Sequence, residues 1–319
     1  MIQNWTSTDW HELQQDIERK TLLVIGDVML DVYVEGTVHR NSPEAPVPVL
    51  SMSETYNCVG GAANVALNLH KLGAKVHLCS VIGADHEGAK LAALLDEHTI
   101  THTLVKESDR RTTVKQRFMR EATHLLRVDT EDTHDISEAT VTDLDGIVMG
   151  QVASCTGIVI SDYDKGVMSV ALIKRVLRIA TLYNIPVYVD PKHRNFWEYT
   201  GCTIFKPNIS ELSKALGSNR SMDSMLQVAT KRLGGADIIC TAAEQGMSYL
   251  NNGHLTKVPA RQVQVADVSG AGDTALAVIV LGHQCGLSTQ LICELAITAS
   301  GIVCTKKGVA TVTWPEIAK

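Results

Sequence analysis

The chain has 319 residues, 45% of them hydrophobic and 20% charged, with a formal net charge of −6. That length holds one large α/β unit with an appendage, or two domains. The acidic balance argues against a nucleic-acid binder but leaves room for local cations around a phosphorylated small molecule. Aromatic residues make up only 4%, so the core must be aliphatic. The eight cysteines stand singly, with no Cys-x-x-Cys, which reads as free thiols in a reducing cytosol rather than a zinc ribbon or a disulfide frame. The first twenty residues lack the apolar stretch of a signal peptide, and no run reaches the ~18 apolar residues of a membrane helix. The expected compartment is the cytoplasm.

In chain order, residues 8–19 predict a short amphipathic helix. A continuous apolar run, LLVIGD (22–27), follows and reads as a buried parallel strand. Comparable runs recur at KVHLCSVIG (75–83), GIVISD (157–162), PVYVDP (186–191), TIFKPN (203–208) and DIICTAA (237–243). Helical stretches at 62–73, 170–184 and 273–286 lie between or after them. This alternation implies βαβ units and a parallel sheet covered on both faces. Two segments break the rhythm. Residues 33–58 carry Pro43, Pro46 and Pro48 among alternating valines, and residues 112–130 alternate apolar with charged side chains. Both predict exposed antiparallel strands, with proline tolerated only at an edge. They would form a small β-sheet projecting from one domain that spans 1–319, acting as a lid or a dimer surface.

Five predicted strands end in Asp27, Asp162, Asp190, Asn208 and Thr241. Ligands of open α/β sheets bind beyond the carboxyl ends of the strands. Any one of these residues could simply cap a helix, but five together favour a ligand crevice. The sharpest motif is Asp267-Val268-Ser269-Gly270-Ala271-Gly272-Asp273, ahead of an apolar helix. A Gly-Ala-Gly turn opening a helix offers backbone N–H groups and the helix dipole to an anion. Asp273 beside that anion site is placed to accept a hydroxyl proton during phosphoryl transfer. The plainer alternative is a glycine turn with a capping acid. Gly60, Gly61 and Asn64 open the 62–73 helix, where small residues admit a substrate or merely a tight turn. Asp27 and Asp31, in GDVMLD, suit bidentate bonds to sugar hydroxyls or serve as a cap and a solvated acid. Asn208 and Glu211, in KPNISE, are spaced to hold water and Mg²⁺ near phosphates, or to form a capping box.

Together and in this order, GGAAN, KPNISE and DVSGAGD resemble the signatures of the PfkB/ribokinase family of carbohydrate kinases, over nearly the whole chain from Gly26 to about Gly308. The resemblance implies a Rossmann-like (ribokinase-like) three-layer parallel sheet with a small β lid. It further implies ATP and Mg²⁺ as cofactors and Asp273 as catalytic base, with Gly270, Ala271 and Gly272 as the anion hole. Asn208, Glu211, Thr241 and Gly246 are expected at the nucleotide. One departure stands out: where the family often has Thr-x-Gly-x-x-Gly, Thr241–Gly246 places Ala243 at the middle glycine. Within the family, GDVMLD, RNSPEAPVPVL, SDYDKG, DPK and AEQGMS resemble the heptose 7-phosphate kinases. Those enzymes make the 1,7-bisphosphate used for ADP-heptose and the lipopolysaccharide core. No His-x-Gly-His nucleotidyltransferase motif occurs, so the stand-alone form is expected. A substrate that already carries a phosphate needs cations away from Asp273. Lys115, Arg117, Arg120 and Arg127 on the lid, with Lys165 and Lys192 after strand ends, are the candidates, each with a surface-charge alternative. Asp190 is counted among the substrate residues, and a homodimer through the lid is expected. A kinase for another sugar, or a catalytically dead sugar-binding regulator, remain the competing classes.

Overall fold

The computed structural model describes residues 5–120, 123–217 and 219–318. Glu121 and Ala122, inside the predicted 112–130 segment, lie outside the described residues. After α1 (Ser7–Ile17) and β1 (Thr21–Gly26), the chain runs through β2 (Val28–Asn41), β3 (Pro48–Gly61), α2 (Ala62–Lys71), β4 (Lys75–Gly83), α3 (His86–Glu97) and β5 (Thr101–Glu107). Next come β6 (Val114–Arg120), β7 (Thr123–Thr130), α4 (Glu138–Val152), β8 (Gly157–Ser161), α5 (Val170–Tyr183), β9 (Val187–Asp190) and β10 (Ile204–Phe205). The last part holds α6 (Ile209–Leu216), α7 (Met222–Arg232), β11 (Asp237–Thr241), β12 (Met247–Asn251), β13 (His254–Val258), α8 (Ala271–Gln284), α9 (Thr289–Cys304) and α10 (Trp314–Ile317).

Nine strands form one sheet in the order β13-β12-β11-β10-β9-β8-β1-β4-β5. Strand β1 is central and shows why its run is uninterrupted. Leu22 and Val24 join an aliphatic cluster with α1, α2, α8 and α9, while Leu23 and Ile25 join a second cluster with α4, α5 and α7. A strand covered on both faces has no polar side to present. The strands from β11 to β5 pair in parallel, as the alternation predicts. At one edge this parallel sheet is extended by an antiparallel meander, β11-β12-β13. Asn251-Asn252-Gly253 turns that hairpin with positive φ at Asn252 and Gly253, the conformation that Asn-Gly pairs favour.

The second sheet has the order β3-β2-β6-β7. Its pairs β2–β3 and β6–β7 are antiparallel, as expected, but β2 and β6 run parallel where the two segments meet. Pro48 opens the edge strand β3, and Pro43 and Pro46 lie in the turn before it, where a missing N–H costs no ladder bond. Only Asp27 separates the end of β1 from the start of β2. Asp31 sits on a strand of the small sheet, in its buried half.

Candidate active site

Helix α8 opens on a tight turn. The Asp267 carboxylate accepts the Ser269 N–H at 2.8 Å. Gly270 follows in the left-handed region at φ 80°, and a Cβ there would lie 2.8 Å from the Asn64 amide nitrogen. N–H groups in a first helical turn have no acceptor within the helix, so they and the dipole face whatever lies beyond. Ala271 leans on the Val268 carbonyl at 3.3 Å. At Gly272 a Cβ would meet no atom within 4 Å, so the turn borders free space at that residue.

Asp273 is the third residue of α8 and is buried. One carboxylate oxygen accepts the Asn64 amide at 2.7 Å, and the other accepts the Tyr163 hydroxyl at 2.6 Å. Asn64 is braced in turn by Asn68, whose amide donates to its carbonyl and side-chain oxygens and whose own oxygen accepts the Thr274 hydroxyl. Burial raises the Asp273 pKa to about 6; the bonds from Tyr163 and Asn64 oppose it, Asp190 adds to it, and Lys206 lowers it. A carboxylate with a pKa near neutrality at the start of a helix is equipped to take a proton at neutral pH.

The strand-end loops supply charge around it. Asp190, the last residue of β9, is buried against Lys206 at 3.0 Å. Lys192 pairs with Glu211 at 2.6 Å and lies 5.1 Å from the Tyr163 ring centre. Lys115, on β6, approaches the same ring at 5.5 Å. Burial lowers its pKa, and among the described residues no carboxylate is within ion-pair range of it. Arg117 pairs with Asp31 in the buried part of the small sheet and stacks on Tyr33. Gly60 makes room for that acid: a Cβ would sit 2.1 Å from an Asp31 oxygen.

The family model of the pfkB family carbohydrate kinases matches residues 19–317. The chain belongs to that family. It is 42% identical over 304 residues to the bifunctional protein HldE of Hyphomonas neptunium, covering 93% of this chain and 63% of that protein. It is 38% identical over 308 residues to the D-beta-D-heptose 7-phosphate kinase of Bordetella bronchiseptica, covering 95% and 96%. The chain thus spans less than two thirds of the length of the bifunctional relatives. Solved structures share its ribokinase-like fold. Phosphofructokinase-2 from Escherichia coli, with substrates and products, superposes at a TM-score of 0.77 with 17% identity over 94% of this chain and 97% of that one. Arabidopsis thaliana ribokinase, complexed with ribose and ATP, superposes at 0.69 with 18% identity over 93% and 95%.

Not every residue expected at the site of this pfkB-family chain faces the crevice. Both Asp27 oxygens are taken by backbone N–H groups, Tyr163 (2.7 Å) and Lys165 (3.1 Å) on one and Val167 (3.0 Å) on the other. This acid is buried and organises the loop after β8, a structural role beside the sugar contact expected of it. Gly61 caps α2, and the Asp27 carbonyl fills the space beside it, so a tight turn accounts for it. Arg127 donates two hydrogen bonds to the Asp129 carboxylate on an exposed strand. The Lys165 ammonium pairs with Glu131, and Arg120 lies exposed at the end of β6. Asn208 and Glu211 form a capping box at α6, each bond 2.8 Å. Glu211's other oxygen holds Lys192, so neither residue is free for direct metal ligation. Thr241 ends β11 and bridges Asn208, while Gly246 closes the turn after it at φ 86°. Ala243 is held at φ 46°, a left-handed position that favours glycine. Sequence reasoning missed Tyr163 and Lys206. Both lie in motifs that were noticed, SDYDKG and KPNISE, but only folding brings them to Asp273.

Proposed function

We propose that the chain transfers the γ-phosphoryl group of ATP to the anomeric C1 hydroxyl of D-glycero-β-D-manno-heptose 7-phosphate, yielding the 1,7-bisphosphate used for ADP-heptose and the lipopolysaccharide core. The carrying observation is Asp273, buried at the start of α8 between Asn64 and Tyr163 with a pKa near 6. The identity to the Bordetella bronchiseptica kinase along almost its whole length supports the substrate. Asp273 takes the C1 hydroxyl proton as that oxygen attacks phosphorus. The N–H groups of the Gly270–Gly272 turn face the charge on the transferred group, and positioning and charge stabilisation supply most of the rate in phosphoryl transfer. Nucleotide-bound Mg²⁺ neutralises phosphate charge; Asn208 and Glu211 would meet it only through water, since their own hydrogen bonds are already committed.

Asp31 is the acid retained for the sugar hydroxyls, with Arg117 orienting it. Lys115 is the first cation for the 7-phosphate, because a half-buried ammonium with no carboxylate in ion-pair range among the described residues gains most from an incoming anion. The small sheet also exposes Val47, Met52, Leu126 and Val128, an apolar surface suited to a homodimer. No helix among the described residues is long and apolar enough to cross a membrane, and the reaction is assigned to the cytoplasm. An ADP-release assay over a sugar panel tests the substrate. Charge-assisted bonds contribute about 1.5–3 kcal/mol each, so two of them favour the 7-phosphate over free heptose by roughly 10²–10⁴-fold in kcat/KM. Lys115→Ala should lose a good part of that preference. Equal use of the two sugars by the wild-type enzyme removes the phosphate site from the reading.

A further inference from the structure

We propose that Tyr163 is the positioning residue of the base, its hydroxyl holding the Asp273 carboxylate ionised and aimed into the crevice. This rests on reading Asp273 as the base. The Tyr163 hydroxyl donates to Asp273 at 2.6 Å, in the short range of an O–H bond to a charged acceptor. Asn64 occupies the other oxygen. A carboxylate oxygen has two acceptor sites, so each retains one for the substrate hydroxyl, and the two donors decide where those sites point.

The tyrosine has little freedom of its own. Its N–H is fixed to Asp27, which also ties down the N–H groups of Lys165 and Val167. Its ring lies beside the ammonium groups of Lys115 and Lys192, which arrive from the small sheet and from the turn after β9. The hydroxyl is therefore aimed by three separate elements before any substrate arrives. Burial and the adjacent Asp273 raise its pKa well above the usual value, so it remains a donor across the working pH range. The charged groups facing this pair are Asp190 with Lys206, Lys192 with Glu211, Asp31 with Arg117, and Lys115. Asp162, the preceding residue, is pushed to about 7 by burial and by Asp27. It accepts from the Tyr199 hydroxyl and the Asp164 N–H, not from the Tyr163 hydroxyl, and so serves as the control.

A donor to a carboxylate stabilises its charged form and lowers its pKa. Removing the donor therefore moves the acid limb of activity to higher pH. In Tyr163→Phe, which keeps the ring between the two lysines, the acid limb of kcat/KM should rise by about one unit. Asp162→Asn should leave that Tyr163-dependent shift intact. Incorporating 3-fluorotyrosine at position 163 supplies a stronger donor of nearly the same shape and should move the limb the other way. A folded Tyr163→Phe enzyme whose acid limb coincides with wild type, while Asp273→Asn is inactive, overturns this inference alone. An active Asp273→Asn enzyme overturns the reading beneath it.

Discussion

Replacing Asp273 by Asn separates chemistry from folding, because the structure predicts opposite effects on the two. The carboxylate sits between two donors, the Asn64 amide and the Tyr163 hydroxyl. An Asn side chain keeps one acceptor oxygen for Asn64, and its NH₂ can donate to the Tyr163 hydroxyl once that rotor turns. The fold therefore accommodates the change, but the proposed acceptor of the sugar proton is gone. General-base assistance is worth about 10²–10⁴-fold, so kcat should fall at least a hundredfold. Stability should rise. The Asp273 pKa goes from the ordinary 3.8 to about 6, about two units at 1.36 kcal/mol each, so keeping this acid ionised in the folded state costs on the order of 3 kcal/mol. The sign follows from the direction of the shift. Above about pH 6 the acid is charged in both states and the folded one bears the whole cost; below the ordinary value it is neutral in both and the cost vanishes. Asp273→Asn should thus melt several degrees higher than wild type at pH 8 and nearly level with it near pH 4. Steady-state ADP release and melting curves at the two pH values measure both halves. Turnover within tenfold of wild type refutes the base, and a lower melting point at pH 8 makes the carboxylate a structural anchor instead.

The two glycines of the turn should respond differently. Gly272→Val adds its side chain to open space, so the protein should fold normally yet lose activity by roughly 10²–10³-fold, the scale of one lost preorganised donor; full activity in a folded variant means that phosphate does not approach this turn. Gly270→Ala meets Asn64 and a left-handed backbone at once, so it should lower the melting temperature as well as kcat, and an unchanged melting point contradicts the packing described. Ala243→Gly relieves a left-handed alanine worth about 1–2 kcal/mol, less the entropy of a new glycine; the denaturation midpoint should rise by an amount equivalent to roughly 0.5–1 kcal/mol, with kcat unchanged, and a lower midpoint refutes the strain.

What could be read beforehand was what a local pattern encodes. The β1 run and the apolar α8 announce themselves because both are surrounded by hydrophobic neighbours, and the 267–273 turn because its glycines are adjacent in sequence. Asp27 and Asp31 part for a local reason as well: β2 starts at Val28, so Asp27 stays at the junction of the two strands, bonded to the loop after β8, while Asp31 lies on the small sheet beside Arg117. The edge hairpin carried a readable signal, Asn-Asn-Gly, which passed unused. Tyr163 and Lys206 had none. Each reaches Asp273 only because the β8 and β10 ends converge with the start of α8, and a tyrosine after a strand looks the same whether it packs or donates. The capping box at Asn208 and Glu211 shows the converse: the spacing was right, and the plain reading described the geometry.

The small sheet joins the large one without slack. Asp27 alone separates β1 from β2, β3 runs straight into α2 at Gly61, and the Ala62 N–H is bonded to the Asp27 carbonyl at 2.9 Å. Those neighbouring junctions form an axle. Asp27 also anchors the Tyr163 backbone, and Asn64 is the third residue of α2, just past the second junction, so both donors to Asp273 are mounted on the axle itself. On the proposed reading, a swing of the small sheet over a bound sugar would be transmitted to the two atoms that orient Asp273, making closure and alignment one mechanical event.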